Sequence, residues 1–276
     1  MTDHSMPDIL YQKNKGDFMK TDYEFLTTEV NGHILEVTIN RPDVMNSLHP
    51  PSHREFDEVW SEFTNNEDLW VGIITGAGDR AFSAGNDLKY QASGGDRSGM
   101  PETGFAGLTS RFNLNKPIIA AVNGVAMGGG MEIALACDLI IASSNARFAL
   151  PEPKVGLLPC GGGTQVLPRL VGEGWAKRII LTGEQIKPDQ ALKIGLIEEK
   201  VEDGKALEMA MLMASSVANQ SPSSIAKCKE LIHAARLSQE PYQEEIKPFV
   251  DLFDTKDQKE GVEAFLEKRK PDWQNA

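Results

Sequence analysis

Two glutamates stand where carboxylates are costly. Glu132 closes the run Gly128-Gly-Gly-Met-Glu132 and leads into Ile133-Ala-Leu-Ala-Cys137, an apolar setting in which a carboxylate must be paired or face a cavity. Glu152 sits between prolines in Phe148-Ala-Leu-Pro-Glu-Pro-Lys-Val-Gly156, just after an apolar strand. Singly, each has an ordinary explanation: Glu132 bonded to neighbouring backbone or an arginine, Glu152 a loop carboxylate beside Lys154. Together, two acids in apolar, glycine-rich surroundings can divide into acid and base.

The glycines at 128–130 follow a buried strand and open a helix. They make either a tight strand-to-helix turn, or a place where a ligand meets unpaired N–H groups at a helix N-terminus. Such donors suit a phosphate or a developing oxyanion. A dinucleotide fingerprint is absent, and a phosphate loop would need Lys-Ser/Thr where Met131 and Glu132 stand. Glu132 would repel a phosphate but not a thioester oxygen near a neutral acid. A third segment, Ala81-Phe-Ser-Ala-Gly-Asn-Asp-Leu-Lys89, also permits close backbone approach. Within it Asp87 can cap a helical turn. A nucleophilic role for Ser83 would need His33, His49 or His53 beside it, and the spacing suggests no such triad.

These segments need a scaffold. Tyr23 to Val30 and His33 to Ile39 alternate in polarity around Asn31-Gly32, a hairpin signal, and Arg41-Pro42 ends the second strand. Pro50-Pro51 opens a helix with Phe56, Val59, Trp60 and Phe63 on one face. Buried strands are expected at Trp70 to Thr75 and Pro117 to Val122, a helix near Gly129 to Cys137, and short strands at Asp138 to Ser143 and Arg147 to Ala149. Tyr90 to Glu102 reads as a surface loop or lid, and Gly161 to Gly163 precede another helix. Alternating strands and helices give an α/β class. Helical periodicity follows from near Gly204, Ser221, Pro241 and Thr255, with Ser221-Pro222 an N-cap and N1 pair. The expected division is a flexible arm at residues 1–22, a core at residues 23–203 and a helical oligomerisation region at residues 204–276.

Of the 276 residues, 41% are hydrophobic and 25% charged, enough to bury a substantial core. The net charge of -12 argues against a nucleic-acid partner, while a small anionic ligand needs only a few local cations and N–H groups. Cys137, Cys160 and Cys228 show no metal or redox spacing, so a reduced, cytoplasmic protein is expected. The apolar run from Ile118 to Ala142 invites a membrane span. Asn123, Glu132, Asp138 and three consecutive glycines argue instead for a buried strand–turn–helix–strand, and no membrane partner is expected.

In their order and spacing, Asn40-Arg-Pro with Asn46-Ser-Leu48, Ala81 to Lys89, Asn123-Gly with Gly128 to Glu132, and Phe148 to Gly163 resemble the crotonase (enoyl-CoA hydratase/isomerase) superfamily. The likeness runs from about Tyr23 to the end. Gly104-Phe-Ala-Gly-Leu-Thr109, Asn113-Leu-Asn-Lys-Pro117 and Ala264-Phe-Leu-Glu-Lys-Arg269 with Trp273 are similar to its carnitinyl-CoA dehydratase-like branch.

The resemblance implies a spiral of ββα repeats followed by helices that build a homotrimer or a dimer of trimers. It implies an enoyl-CoA hydratase, a lyase of fatty acid metabolism, possible alternatives being an isomerase or a non-catalytic acyl-CoA-binding subunit. Glu132 would be the base towards water and Glu152 the acid towards the α-carbon, with the thioester oxygen in an oxyanion hole made by the N–H groups of Asn86 and Gly129. Coenzyme A, part of the substrate, would lie along Asn46, Ser47, Leu48, Ala84, Asp87, Leu88 and Lys89. Phe265 and Lys268 would come from a neighbouring subunit, and Lys89 and Lys268 would meet its phosphates. Neither metal nor redox cofactor is implied. Asn86, where short-chain relatives commonly carry Ala, and Cys160, where Gly or Asp is frequent, depart from the pattern. Met127, Phe105, Trp175 and the loop from Tyr90 to Glu102 are candidates to shape the acyl site.

Overall fold

A computed structural model describes residue 20 and residues 22–95, 100–155, 157–234, 255–267 and 269–276. Two strands, β1 (Leu26–Asn31) and β2 (Ile34–Ile39), form the expected hairpin, with Gly32 at φ 60° in its turn. From β2 onward the pairing becomes parallel: β2 to β3 (Val71–Gly76), β3 to β5 (Ile118–Val122), β5 to β7 (Leu139–Ser143) and β7 to β9 (Glu199–Val201). A second, parallel sheet contains β4 (Ala81–Ser83), β6 (Val125–Met127) and β8 (Arg147–Ala149).

The chain alternates between these sheets. It leaves β3 for β4 and then α2 (Leu88–Ala92), leaves β5 for β6 and then α3 (Gly129–Leu135), and leaves β7 for β8, a 3-10 turn and α4 (Leu167–Thr182). Each turn adds one strand to both sheets, which makes the chain a spiral of ββα units. The apolar run that invited a membrane span is thus β5, β6, α3 and β7, and among the described residues no helix is long and apolar enough to cross a membrane.

Strand alternation explains why the long sheet reads as nearly continuous hydrophobics. Ile74, Ile118, Ala120, Val122, Ile140 and Ala142 face one core, filled by Phe56, Val59, Trp60 and Phe63 of α1 (Pro50–Asn65). Ile73, Ile119, Ala121 and Ile141 face the other side, against Ala206, Ala210 and Ala214 of α6 (Ala206–Ala218). These alanines recur every four residues and so share one helix face, letting α6 lie close on the sheet. The helical region therefore begins with a helix that closes the sheet, after the short α5 (Pro188–Lys193).

Next, α7 (Pro222–Ala234) starts where Ser221-Pro222 predicts, and Ser224 N–H donates to Ser221 Oγ at 3.3 Å. Lys229 ties α7 to the core through Asp138 at 2.7 Å and the Lys116 carbonyl at 2.9 Å. The last helix, α8 (Lys256–Glu267), follows the expected start at Thr255. The helix start at Pro241 and most of the N-terminal arm lie outside the described residues, as does the middle of the Tyr90–Glu102 loop. That loop begins as α2.

Two amides secure the exit of β3. Asn123 Nδ2 donates to the carbonyls of Gly76 (2.7 Å) and Gly78 (2.6 Å). Asn46, at φ 54°, donates from Nδ2 to Ala77 O (3.0 Å) and Ala81 O (2.7 Å), while Oδ1 accepts from Arg41 N–H at 3.0 Å. Replacing Asn46 by Ala leaves these buried groups unpaired, and we expect a loss of about 2–4 kcal/mol in urea unfolding.

Candidate active site

The second ββα turn delivers the glycines. Gly128 (φ 54°, ψ -126°) turns the chain from β6 into α3, and its N–H is held by Ala149 O of β8 at 2.9 Å. The bond from Glu132 N–H to Gly128 O, at 3.0 Å, closes the first turn, so the N–H groups of residues 129–131 precede the helical ladder. The loop after β4 packs directly on this helix start. A Cβ on Gly130 would stand 2.0 Å from Ser83 O. On Gly85, at φ +85°, it would stand 2.6 Å from Met127 O and 2.9 Å from Gly129 N. Gly85 thus brings its neighbour Asn86, an exposed residue, close to Gly129.

Glu132 is only 4% exposed. Its Oε1 accepts from Gly161 N–H (2.6 Å) and Gly163 N–H (3.0 Å), contributed by the glycine run after β8. The expected pairing with backbone is therefore present, on one oxygen. The other, Oε2, lies 2.9 Å from where a Cβ on Gly161 would be. Burial raises the Glu132 pKa above the ordinary carboxylate value, and the Gly163 and Gly161 donors pull it partly back.

Glu152 begins the 3-10 turn Glu152–Val155. Its Oε1 stands 3.0 Å from where a Cβ on Gly128 would be, while Oε2 is buried with no hydrogen-bond partner among the described residues. Lys154 does not pair with it, its Nζ donating instead to Gly183 O at 2.7 Å. Burial raises the Glu152 pKa, a backbone bond lowers it, and the charge on Glu132 raises it further. The Glu152 carboxyl beside Gly128 therefore lies within reach of the Glu132 charge.

The Asn46–Leu48 and Ala84–Lys89 segments run side by side through a parallel bridge, Leu48 to Asn86. Leu48 N–H donates to Gly85 O (2.7 Å), Asp87 N–H to Leu48 O (2.8 Å) and Ala84 N–H to Met45 O (2.9 Å). Several candidate side chains are committed inside the protein. Asn46 serves backbone groups as described above, Ser47 and Leu48 are buried, and the Ser47 carbonyl takes Arg41 Nη1.

Asp87 caps α2 through Tyr90 N–H at 3.0 Å, as expected, and pairs with Arg41 at 3.1 Å. Burial works against its charge, but these partners outweigh it and hold the Asp87 pKa low. Leu88, 53% exposed, and Lys89 face outward, and Ala84 is half-buried. Phe265 belongs to α8, while Lys268 lies outside the described residues.

Ser83 has no triad. Its hydroxyl donates to Asn46 O (2.8 Å) and accepts from Gly85 N–H (3.1 Å). His33 stacks on Trp70, His49 packs against Phe25 and Tyr90, and His53 accepts from Ala106 N–H at 3.1 Å. Of the residues expected to shape an acyl site, Phe105 is at the centre: a Cβ on Gly129 would meet its ring at 2.7 Å. Trp175 is partly buried against the core, with Arg178 over its ring, and Cys160 is exposed beside Gly161. Sequence reasoning missed the Gly161 and Gly163 donors to Glu132, which lie 29 and 31 residues away along the chain.

The family model described as enoyl-CoA hydratase/isomerase matches residues 29–276. The chain is 39% identical over 263 residues to the (E)-benzylidenesuccinyl-CoA hydratase of Thauera aromatica, covering 91% of this chain and 99% of that one. It is 39% identical over 252 residues to the carnitinyl-CoA dehydratase of Escherichia coli strain K12, covering 88% and 95%. Among solved structures, Pseudomonas aeruginosa DspI matches with a TM-score of 0.84 at 44% identity, over 95% of this chain and 100% of that one. An enoyl-CoA hydratase from Mycobacterium tuberculosis H37Rv matches with a TM-score of 0.86 at 35% identity, over 91% and 99%.

The raised pKa of Glu152 has a consequence for stability. The folded chain binds this proton more tightly than the unfolded chain, whose carboxyl titrates near 4.5. Stability therefore falls as pH rises from that value through the folded pKa. Glu152→Gln removes this dependence, so its advantage over the parent in urea unfolding should grow from about pH 4 to about pH 8. A difference independent of pH would show that the fold does not hold this carboxyl above its ordinary value.

Proposed function

This chain belongs to the enoyl-CoA hydratase/isomerase family, and from that premise we propose that it is a hydro-lyase, an enoyl-CoA hydratase adding water reversibly to a 2-enoyl-CoA thioester. The observation that carries the reading is the pair of glutamates at the glycine turns, Glu132 buried beside Gly161 and Glu152 half-buried beside Gly128, with the Glu132 charge acting on Glu152. Hydration needs one group to take a proton from water and another to give a proton to carbon. An isomerase shuttling one proton, or a subunit that only binds acyl-CoA, has no use for the second carboxyl.

In this proposal the thioester oxygen accepts from the N–H groups of Gly129 and Asn86. This polarises the conjugated double bond and stabilises the enolate as it forms. Glu132 takes a proton from water while the water oxygen bonds to the β-carbon, and the π electrons move onto the thioester oxygen. Glu152 then gives its proton to the α-carbon, the carbonyl re-forms, and the two carboxyls have exchanged roles; dehydration is the reverse. The division follows from their surroundings. The Gly161 and Gly163 donors favour a charged Glu132, whereas buried Glu152 Oε2 has no such donor and faces the Glu132 charge.

No metal or redox cofactor enters this scheme. Coenzyme A would lie along the joined Asn46–Leu48 and Ala84–Lys89 segments, touching backbone, Leu88 and the Lys89 ammonium, with Phe265 and Lys268 of a neighbouring subunit completing its site. Assembly as a trimer or a dimer of trimers through residues 204–276, and a cytoplasmic location, belong to the same proposal. The names of the two relatives share a CoA thioester and the gain or loss of water, so a carnitinyl-CoA type of acyl group is one form of it.

We expect Glu132→Gln and Glu152→Gln each to lower turnover by roughly 10²–10⁴-fold with CoA binding largely kept. The measurement is loss of the conjugated enoyl thioester absorbance with a panel that includes crotonyl-CoA and crotonobetainyl-CoA. Wild-type rates in either variant would remove these roles, and no reaction of the parent with any thioester would favour an acyl-CoA-binding subunit.

A further inference from the structure

The turn at residues 104–109 lies along the face of α3 used by the proposed chemistry. Gly129 and Glu132, three residues apart on a helix, are neighbours on that face. The Phe105 ring covers Gly129, with its Cε1 and Cζ 2.7 Å from where a Cβ would be. At the other end, Thr109 Cγ2 comes within 3.3 Å of the same position on Gly161, beside Glu132 Oε2. Glu152, the proposed donor to the α-carbon, has its Oε1 against Gly128, the residue before Gly129. In the proposed pose, an acyl group with its oxygen on Gly129 N–H and its α-carbon towards Glu152 lies beside the Phe105 ring.

The turn that carries Phe105 is held in an unfavourable shape. Ala106 has φ 51° and ψ 27°, left-handed backbone that a non-glycine residue adopts at a cost. Several contacts enforce it. Phe105 N–H donates to Thr109 Oγ1 (2.8 Å), and Arg111 Nε donates to Gly107 O (2.7 Å). Gly107 is jammed on α1, where a Cβ would come within 2.8 Å of the Asp57 backbone.

At the strained residue itself, Ala106 N–H donates to Nδ1 of His53, whose ring packs on Phe105 at 4.3 Å between centroids. His53 is 1% exposed, and burial pushes its pKa down to about 3, helped by the nearby charges of His49, Arg41 and Arg54. It is neutral at working pH, so Nδ1 remains an acceptor and the proton sits on Nε2.

We propose that Phe105 is the specificity-determining wall at the α-carbon, admitting 2-enoyl thioesters unbranched there, and that His53 is the positioning residue that holds it. The proposal rests on the hydratase reading above. A single methyl group at a tight apolar wall is worth roughly 10–200-fold in discrimination. The test compares kcat/KM for crotonyl-CoA with that for its α-methyl homologue, 2-methylcrotonyl-CoA.

The parent should prefer crotonyl-CoA, and Phe105→Ala should shift the ratio towards the α-methyl substrate by about 10-fold or more. His53→Leu, which strands the Ala106 N–H and releases the turn, should shift it in the same direction. His53→Asn, whose amide oxygen can accept that N–H, should restore the parental ratio. Melting temperature is recorded for each variant, and if His53→Leu fails to fold, Phe105→Ala decides the wall and His53→Ala, which also strands the Ala106 N–H, decides the positioning role. A parental ratio in Phe105→Ala would overturn the wall. A parental ratio in folded His53→Leu would overturn the positioning role. If the parent hydrates neither thioester, the hydratase reading itself fails, a result separate from an active parent with unchanged selectivity.

Discussion

Keeping the Glu132 carboxyl in an apolar interior is the constraint to which most of the site answers. A carboxylate cut off from water loses solvation that only hydrogen bonds or a counter-charge can replace. Among the described residues no arginine or lysine supplies that charge; instead two N–H groups of the 161–163 glycine run converge on Oε1. Backbone donors make the charge tolerable without quenching it as a counterion would, so the carboxyl keeps its basicity. They also oblige the chain after β8 to return over α3, which fixes where the third turn of the spiral must go.

The interlock around Gly85 and Gly130 follows the same logic. Both positions touch backbone so closely that a methyl group would collide with a carbonyl oxygen or an amide nitrogen. Glycine here serves approach: main chain meets main chain with no side chain between. Phe105, whose ring covers Gly129, is held by the hydrogen bonds of its turn. His53 contributes as an uncharged acceptor, a role available to it because it is buried.

Much of the fold is written in local pattern. The hairpin at Asn31-Gly32, the one-sided face of α1 and the long-sheet strands β3, β5 and β7 each carry a pattern over five or more residues and lie where that pattern puts them, whereas β9, with three residues, carries none. The short sheet is different. Strands β4, β6 and β8 have three residues each, too few to show alternation; β8 lies at Arg147 to Ala149 as expected, while β4 and β6 follow from pairing within the sheet.

Site residues divide along the same line. Glu132 and Glu152 stand out because a charge in apolar surroundings is a local contradiction. The functions of Asn46, His53 and Gly161 are set by partners far along the chain, such as Ala106 for His53 across 53 residues, and no window of sequence contains both ends. The resemblance marks Asn46 as a ligand contact, and its side chain braces the backbone around β3 and β4.

The spiral also decides what this site can survive. Its pieces, at 84–89, 128–132 and 152–163, come from three successive ββα turns, and none of the three is complete without the next. Such an assembly has no local remnant: once one turn frays, the donors of the others point at solvent. Local openings that a lid-type enzyme could absorb would here dissolve the whole constellation at once. Turnover is thereby a gauge of the integrity of the entire coil.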